Sequence, residues 1–235
     1  LFIPCFVDQL YPDTAFNMIK VLEKAGCTVT YNSRQTCCGQ AAFNAGYWEE
    51  SKAVCQKFIS DFNGSDPIVA PSASCVGFVK NYYSRLFDNS SLHHEVQEMK
   101  LRIFEFSSFL CHQIGVTQFG ARLSGLATYH DSCAGLRECG IKEEPRKLLK
   151  NVGGLELVEM NETETCCGFG GTFAVKYENI SMAMAEQKVE NALATKANYL
   201  ISTDLSCLMQ LNGYIQQKGY SIKPLHLADV LASGW

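Results

Sequence analysis

The sequence predicts an α/β fold built from two similar three-layer halves, each with a mostly parallel sheet covered by helices. Short apolar and β-branched runs alternate with longer segments of helical periodicity, as expected for parallel strands joined by helices. A set of four cysteines recurs in the same order in both halves. Glycines and polar residues cluster over 116–125, so we expect domains at 1–119 and 120–235, related by a pseudo-twofold axis.

The first half is assigned element by element from these patterns. LFIPCF at 1–6 is a short apolar run and predicts a strand. A helix over 14–26 follows Pro12 and Asp13, because its apolar residues have helical spacing and Gly26 suits its end. The same two patterns predict strand 27–32, helix 48–62, strand 67–74, helix 76–87, and a strand followed by a helix within 99–115.

The second half follows the same order. A strand is predicted at 126–132, and a helix over 143–153 has Pro145 in its first turn and Gly153 at its end. The remaining predicted elements are strand 155–160, helix 180–195, strand 198–204, helix 206–219, and a closing strand with a short helix within 221–234. EFSSFL at 105–110 and HLADVL at 226–231 occupy equivalent positions.

The cysteine repeat is the most distinctive feature of the chain. The repeated cysteines are separated by 128 to 132 positions, and the matched pairs are Cys5 and Cys133, Cys37 and Cys166, Cys38 and Cys167, and Cys75 and Cys207. The four without a counterpart are expected to be buried, small apolar side chains: Cys27, Cys55, Cys111 and Cys139.

Composition excludes several classes of function. A net charge of −4 and a pI near 5.8 argue against binding to nucleic acid or to an anionic membrane surface. No apolar run reaches the roughly 18 residues of a membrane span, and no signal-peptide pattern is visible. Twelve cysteines in a chain of this size and pattern favour metal ligands or redox thiols over a disulfide framework. We therefore expect a cytoplasmic protein, with its oligomeric state open.

The positions of the repeated cysteines predict a shared site in each half. They follow strands, and the loops beyond the carboxyl ends of parallel strands gather in one crevice. Four thiolates suit Zn²⁺ or an iron–sulfur cluster. The spacing favours a cluster over a zinc knuckle, because Phe78 and Gln210 stand where a CxxC motif would place another cysteine. Gly39 and Gly168 would let the backbone bend close to the sulfurs.

Three polar residues beside Cys133 are further candidates. His130 and Asp131 form either a hydrogen-bonded pair that tunes the sulfur site or a strand end satisfied by its own side chains. Arg137 either offsets the charge of a thiolate-ligated cluster or is simply solvated. The first half has neither the His-Asp pair nor the GFGG that follows Cys167, so we expect the second site to be the more complete one.

The motifs TCCGQ, YHDSCAGLR and TCCGFGGTF, with Cys5, Cys75 and Cys207, resemble the twin cysteine-rich (CCG) domain family that includes heterodisulfide reductase. The resemblance covers essentially the whole chain and is strongest to the lactate utilization protein A branch. It implies an iron–sulfur electron-transfer subunit, with a [4Fe–4S] type of cluster or alternatively zinc, and the eight repeated cysteines as metal ligands. It also implies partner proteins of the B and C types in the oxidation of L-lactate to pyruvate.

The chain departs from the heterodisulfide reductase pattern, which has a fifth cysteine in each half. Phe78 and Gln210 occupy those places here. A five-thiolate cluster is therefore not expected, and one ordinary cluster per half, a single site in one half, or zinc remain open. Two other functions also remain open: a thiol/disulfide oxidoreductase, and a zinc-stabilised scaffold that binds partners.

Overall fold

The computed structural model describes all residues, Leu1–Trp235. Its strands are β1 Ile68–Ala70, β2 Ile103–Glu105, β3 Arg122–Tyr129, β4 Gly153–Leu157, β5 Tyr199–Ser202 and β6 Lys223–His226. Its helices are α1 Cys5–Leu10, α2 Pro12–Lys24, α3 Gln40–Asn44, α4 Trp48–Asp61, α5 Ala73–Phe87, α6 His93–Arg102, α7 Phe106–Ser108, α8 Cys133–Glu138, α9 Glu143–Leu149, α10 Phe173–Lys176, α11 Glu178–Ala194, α12 Leu205–Lys218 and α13 Leu227–Leu231. One π-helical turn, Phe109–Ile114, continues α7. None of the helices is both long and apolar enough to cross a membrane.

The second half contains a four-stranded, fully parallel sheet in the order β4-β3-β5-β6. Ala127 of β3 lies opposite Leu157 on one side and Tyr199 on the other, and β5 pairs with β6 from Tyr199 to Ser202. Strands β3 and β5 end in fully buried residues, because helices cover both faces of the sheet. The predicted α/β class with parallel sheets and two similar halves is confirmed.

The first half keeps only two of its predicted strands, β1 and β2, which pair in parallel. The strand predictions for 1–6 and 27–32 are wrong. Residues 1–4 lie beside β1 through a bond from Phe2 N to Val69 O of 3.0 Å. On their other side the Gln35 side chain takes the place of a strand, since its Oε1 accepts from Ile3 N at 2.7 Å. Neither segment forms the backbone ladder that defines a strand.

The structure differs from the sequence-based expectations at three further element ends. Cys5 begins helix α1 and does not end a strand. Helix α6 begins at His93, where the sequence pattern predicts no helix. Strand β3 starts at Arg122, inside the segment expected to join the halves.

The two halves interlock through their helices. Helix α2 of the first half packs against α13 of the second half. In the equivalent contact, α9 of the second half packs against α7 of the first half. Thr14 and Asn17 both donate to the Asp229 carboxylate at 3.0 Å. The larger of the two apolar cores contains residues from both halves, and the smaller one only residues from the first, apart from Cys139 at its edge. The division between residues 119 and 120 therefore describes the sequence repeat. That it also separates two structural domains stays a prediction.

The helices that follow β1 and β5 begin at the contact between the halves. Ser72 precedes α5 and Asp204 precedes α12, and the two residues form an isolated antiparallel bridge. The Asp204 carboxylate accepts from Ser74 N of the first half at 3.0 Å and from Ser206 Oγ of its own half at 2.6 Å. Because Cys75 and Cys207 lie in the first turns of these helices, the bridge fixes the two cysteines relative to each other.

Candidate metal centres

The first set of four cysteines comes together from three separate parts of the chain. Cys5 is the first residue of α1, Cys37 and Cys38 lie in the turn before α3, and Cys75 lies in the first turn of α5. Their sulfurs interact in a row, Cys37 with Cys5 and with Cys38, and Cys38 with Cys75. Cys5 is exposed, Cys37 is half-buried, and Cys38 and Cys75 are buried. The site thus opens to solvent on the side of Cys5.

The second set repeats this arrangement. Cys133 begins α8, Cys166 and Cys167 lie in a turn after β4, and Cys207 lies in the first turn of α12. Cys166 contacts Cys133 and Cys167, and Cys167 contacts Cys207. Cys167 and Cys207 are buried, as are their counterparts. The structure therefore places the eight repeated cysteines in two sets of four, and their role as ligands remains a proposal.

Each set favours one thiolate among its four sulfurs. Hydrogen bonds from Cys38 and Cys5 hold the pKa of Cys37 well below its usual range, and Gly39 N also donates to this sulfur at 3.3 Å. Hydrogen bonds from Cys133 and Cys167 lower the pKa of Cys166 in the same way. The Cys5 thiol has a raised pKa, because it donates to Cys37 and is partly buried. A cation is needed before more than one thiol of a set can ionise easily.

The glycine after each cysteine pair is required by its backbone and by its neighbours. Gly39 has φ +92° and Gly168 has φ +87°, both in the left-handed region. A Cβ on Gly39 would lie 2.8 Å from Cys55 Sγ, and one on Gly168 would lie 2.5 Å from Ser181 O. The turn can bring its sulfurs against the following helix only because no side chain stands there.

Two serines hold these turns, and the sequence analysis did not identify them. Ser51 Oγ donates to Gly39 O at 3.0 Å, and Ser181 Oγ donates to Gly168 O at 2.8 Å. Both serines are buried. They are separated by 130 positions, within the range of the cysteine repeat, so the repeat itself was the signal that could have found them.

His130 lies against the second set of cysteines. It is fully buried, and one of its ring nitrogens lies with the sulfurs of Cys167 and Cys207 in a group whose atoms are all within 4.8 Å of one another. Neither ring nitrogen has a hydrogen-bond partner. Burial lowers the pKa of His130 to about 3, so the ring is neutral and keeps a lone pair.

Asp131 is bound by an arginine, and Arg137 is exposed at the surface. Asp131 accepts two hydrogen bonds from Arg146, at 2.8 and 2.7 Å, and Arg146 also binds Glu159. Asp131 is thus paired with Arg146 and has no hydrogen bond to His130. Arg137 lines a surface depression with Met160 and residues 162–165.

The positions where the related pattern has a fifth cysteine do not supply another ligand. Phe78 is buried in an aromatic cluster, 5.1 Å from the Phe43 ring and 5.5 Å from the Tyr83 ring. Gln210 donates to Ser181 Oγ at 2.8 Å and so supports the second cysteine turn. The donors that remain, four thiols in each set, fit a thiophilic metal or metal cluster.

The fold and these sites define a class of cysteine-rich α/β proteins with two equivalent four-thiol centres. The profile of the cysteine-rich domain family CCG matches residues 1–80 and 127–212, and each matched region contains one complete set. The chain belongs to this family.

Relatives of the chain match it over nearly its whole length. "Lactate utilization protein A 2" of Bacillus cereus (strain Q1) is 40% identical over 100% of this chain and 97% of its own. "Lactate utilization protein A" of Oceanobacillus iheyensis is 38% identical over 98% and 95%. "Uncharacterized protein YkgE" of Escherichia coli (strain K12) is 40% identical over 99% and 98%.

Proposed function

We propose that the protein is an iron–sulfur electron-transfer subunit of a cytoplasmic complex that oxidises L-lactate to pyruvate. The observation that carries this proposal is the convergence of four interacting thiols in each half, at equivalent positions of the two halves. The names of its relatives support lactate utilization as the process, and proteins of the B and C types are the partners we expect.

The donor set favours an iron–sulfur cluster of the [4Fe–4S] type over a single zinc ion. Zinc sites usually take their thiolates from two CxxC knuckles, whereas these ligands come from three loops and include an adjacent pair. The first set also reaches the surface at Cys5, as electron transfer to a partner protein requires. When bound, a cluster would accept or donate single electrons at this position. The protein would contribute the thiolates, the turns that hold them and the exclusion of water from their inner side.

A thiol/disulfide oxidoreductase is the second candidate function. It is favoured by the lowered pKa of Cys37 and Cys166, because a thiolate is the nucleophile in disulfide exchange. The two functions differ in their need for metal: the thiol enzyme would keep its activity after iron is removed, and the electron-transfer subunit would lose it.

Metal analysis of protein purified without oxygen tests the cofactor. We expect iron and acid-labile sulfide in equal amounts, and an electron paramagnetic resonance (EPR) signal after reduction. Cys167→Ser should lower the iron content, whereas Cys111→Ser should leave it unchanged, because Cys111 belongs to neither set and its thiol donates to Glu144 O, at 3.8 Å. Zinc without iron would refute the proposal.

Reduction by substrate tests the process. The iron-loaded protein is mixed without oxygen with its B-type and C-type partners, and L-lactate is added while the cluster absorbance is followed. We expect L-lactate to bleach the absorbance and D-lactate or glycolate to leave it unchanged. Bleaching by another 2-hydroxy acid alone would show that lactate is the wrong substrate while leaving the cluster assignment intact.

A further inference from the structure

The two halves differ in one pair of buried side chains, which in the first half belongs to the same apolar core as Cys38 and Cys75. In the first half these are Phe2 and Phe58, whose rings meet edge to face with centroids 4.8 Å apart. The equivalent positions of the second half hold His130 and Lys188, 128 and 130 positions later, offsets that match those of the repeat. All four residues are at most 1% exposed. An apolar pair of the first half is thus replaced by a polar pair in the second half, where His130 lies against Cys167 and Cys207.

His130 has unused hydrogen-bonding capacity directed at the sulfurs. Both of its ring nitrogens are buried without a partner, and a ring nitrogen lies within 4.8 Å of the sulfurs of Cys167 and Cys207. A buried polar group without a partner costs about 1–3 kcal/mol, so such groups are rare unless a ligand satisfies them. A cluster held by these cysteines would bring sulfur acceptors to this nitrogen.

Lys188 brings a positive charge to the same place. Its ammonium group donates to the carbonyl oxygens of Glu162 and Thr163, the latter at 3.0 Å, in the segment that leads into Cys166. It is the charged group that acts most strongly on His130. Among the nearby carboxylates, Asp131 pairs with Arg146, Asp204 accepts hydrogen bonds from Ser74 N, Ser206 N and Ser206 Oγ, and Glu162 accepts from the amide groups of Gln187 and Asn191.

We propose that His130 donates an N–H hydrogen bond to a sulfur of the second cluster, with Lys188 behind it, and that this cluster therefore accepts an electron before the first. The inference rests on the proposed iron–sulfur function. N–H···S bonds and positive charge stabilise the more negative, reduced form of a cluster, and phenyl rings do not. With both clusters bound, one electron would pass from the reduced first cluster to the oxidised second cluster, and no bond would be made or broken.

Potentiometric titration of the iron-loaded protein, followed by EPR, tests this order. Cys38→Ser leaves only the second cluster and Cys167→Ser only the first, so each signal can be assigned. In the Cys38→Ser background, only the second cluster is measured. There we expect His130→Phe and Lys188→Met each to lower its ratio of reduced to oxidised form at a fixed potential about tenfold. This change corresponds to a midpoint potential lower by about 59 mV for a one-electron couple. Lys188→Arg keeps the positive charge and His130→Asn keeps an N–H donor, so both variants should retain most of the wild-type potential.

Lys142→Met is the matched control, because Lys142 is an exposed lysine of the same half that pairs with Glu164 on the surface. It should leave the potential unchanged. The proposal is overturned if the first cluster is reduced first, or if neither His130→Phe nor Lys188→Met changes the potential. A large hyperfine coupling from ¹⁵N-labelled histidine would also overturn it, since that would mean direct coordination to iron.

Iron and sulfide contents of the same samples separate this inference from the proposed function. Absence of iron refutes the function itself, whereas iron-loaded protein with equal potentials in both halves refutes only the ordering. If His130→Phe does not assemble a cluster, the lowered potential expected of Lys188→Met, measured against the Lys142→Met control, carries the test.

Discussion

Alanine substitution of Gly168 should destabilise the fold through the second cysteine turn. At φ +87° a side chain costs about 1 kcal/mol of backbone strain. The new Cβ would lie 2.5 Å from Ser181 O and 3.0 Å from Met184 Cβ, an overpacking that typically costs about 1–3 kcal/mol. The shift needed to relieve it would also strain the bond from Ser181 to Gly168 O, which contributes about 1 kcal/mol. The expected total is about 3–5 kcal/mol.

Two other glycines separate these contributions. Gly171 has φ +63° with no atom within 4 Å of a built Cβ, so Gly171→Ala should cost only the backbone strain, about 1 kcal/mol. Gly213 lies in α12 with open space around it, so Gly213→Ala should stabilise the protein by about 0.5–1 kcal/mol. Urea unfolding of the reduced, metal-free protein, followed by circular dichroism, measures all three. If Gly168→Ala is no less stable than Gly171→Ala, the turn does not pack against α11 as closely as the structure shows.

Three further predictions concern buried polar groups. Burial raises the pKa of Glu105 from 4.5 to about 7. Between pH 4.5 and 7 the folded state therefore binds more protons than the unfolded state, so the free energy of unfolding should fall by roughly 3 kcal/mol as pH rises through this range. Glu105→Gln should remove this dependence in urea unfolding at a series of pH values, and an unchanged slope would contradict it. Arg146→Met should cost about 3–5 kcal/mol, because it leaves the buried Asp131 carboxylate unpaired; a melting temperature equal to wild type would count against the pairing. Ser181→Ala should cost about 1–2 kcal/mol in urea unfolding, and no loss would mean that its bond to Gly168 O contributes nothing.

The second half was predicted more accurately than the first, for reasons of local pattern. Helix 180–195 corresponds to α11 and strand 198–204 to β5, because long periodic segments and buried apolar strands carry their own signal. Segments 1–6 and 27–32 have the composition of strands but lack a partner strand. A strand is defined by its pairing, and a side chain such as Gln35 that replaces a neighbouring strand leaves no periodic pattern in the sequence.

The cysteine sets could be predicted because a sequence repeat indicates which residues occupy equivalent positions in the two halves. Equivalent residues of equivalent halves occupy equivalent places, so the offset grouped the eight thiols without a structure. The proposed contact between His130 and Asp131 is absent, since neighbouring residues at the end of a strand point to opposite faces. Lys188 was not found because a lysine in an amphipathic helix is normally exposed, and only its carbonyl partners explain its burial.

The iron content of three cysteine variants tests the central claim, that each four-cysteine set holds one cluster. Cys38 and Cys167 are buried, equivalent members of the two sets. In protein purified without oxygen, Cys38→Ser and Cys167→Ser should each lower the iron per chain to about half, and the double variant should contain none, while Cys111→Ser matches wild type. Wild-type iron in the double variant, or zinc in place of iron throughout, would contradict the account.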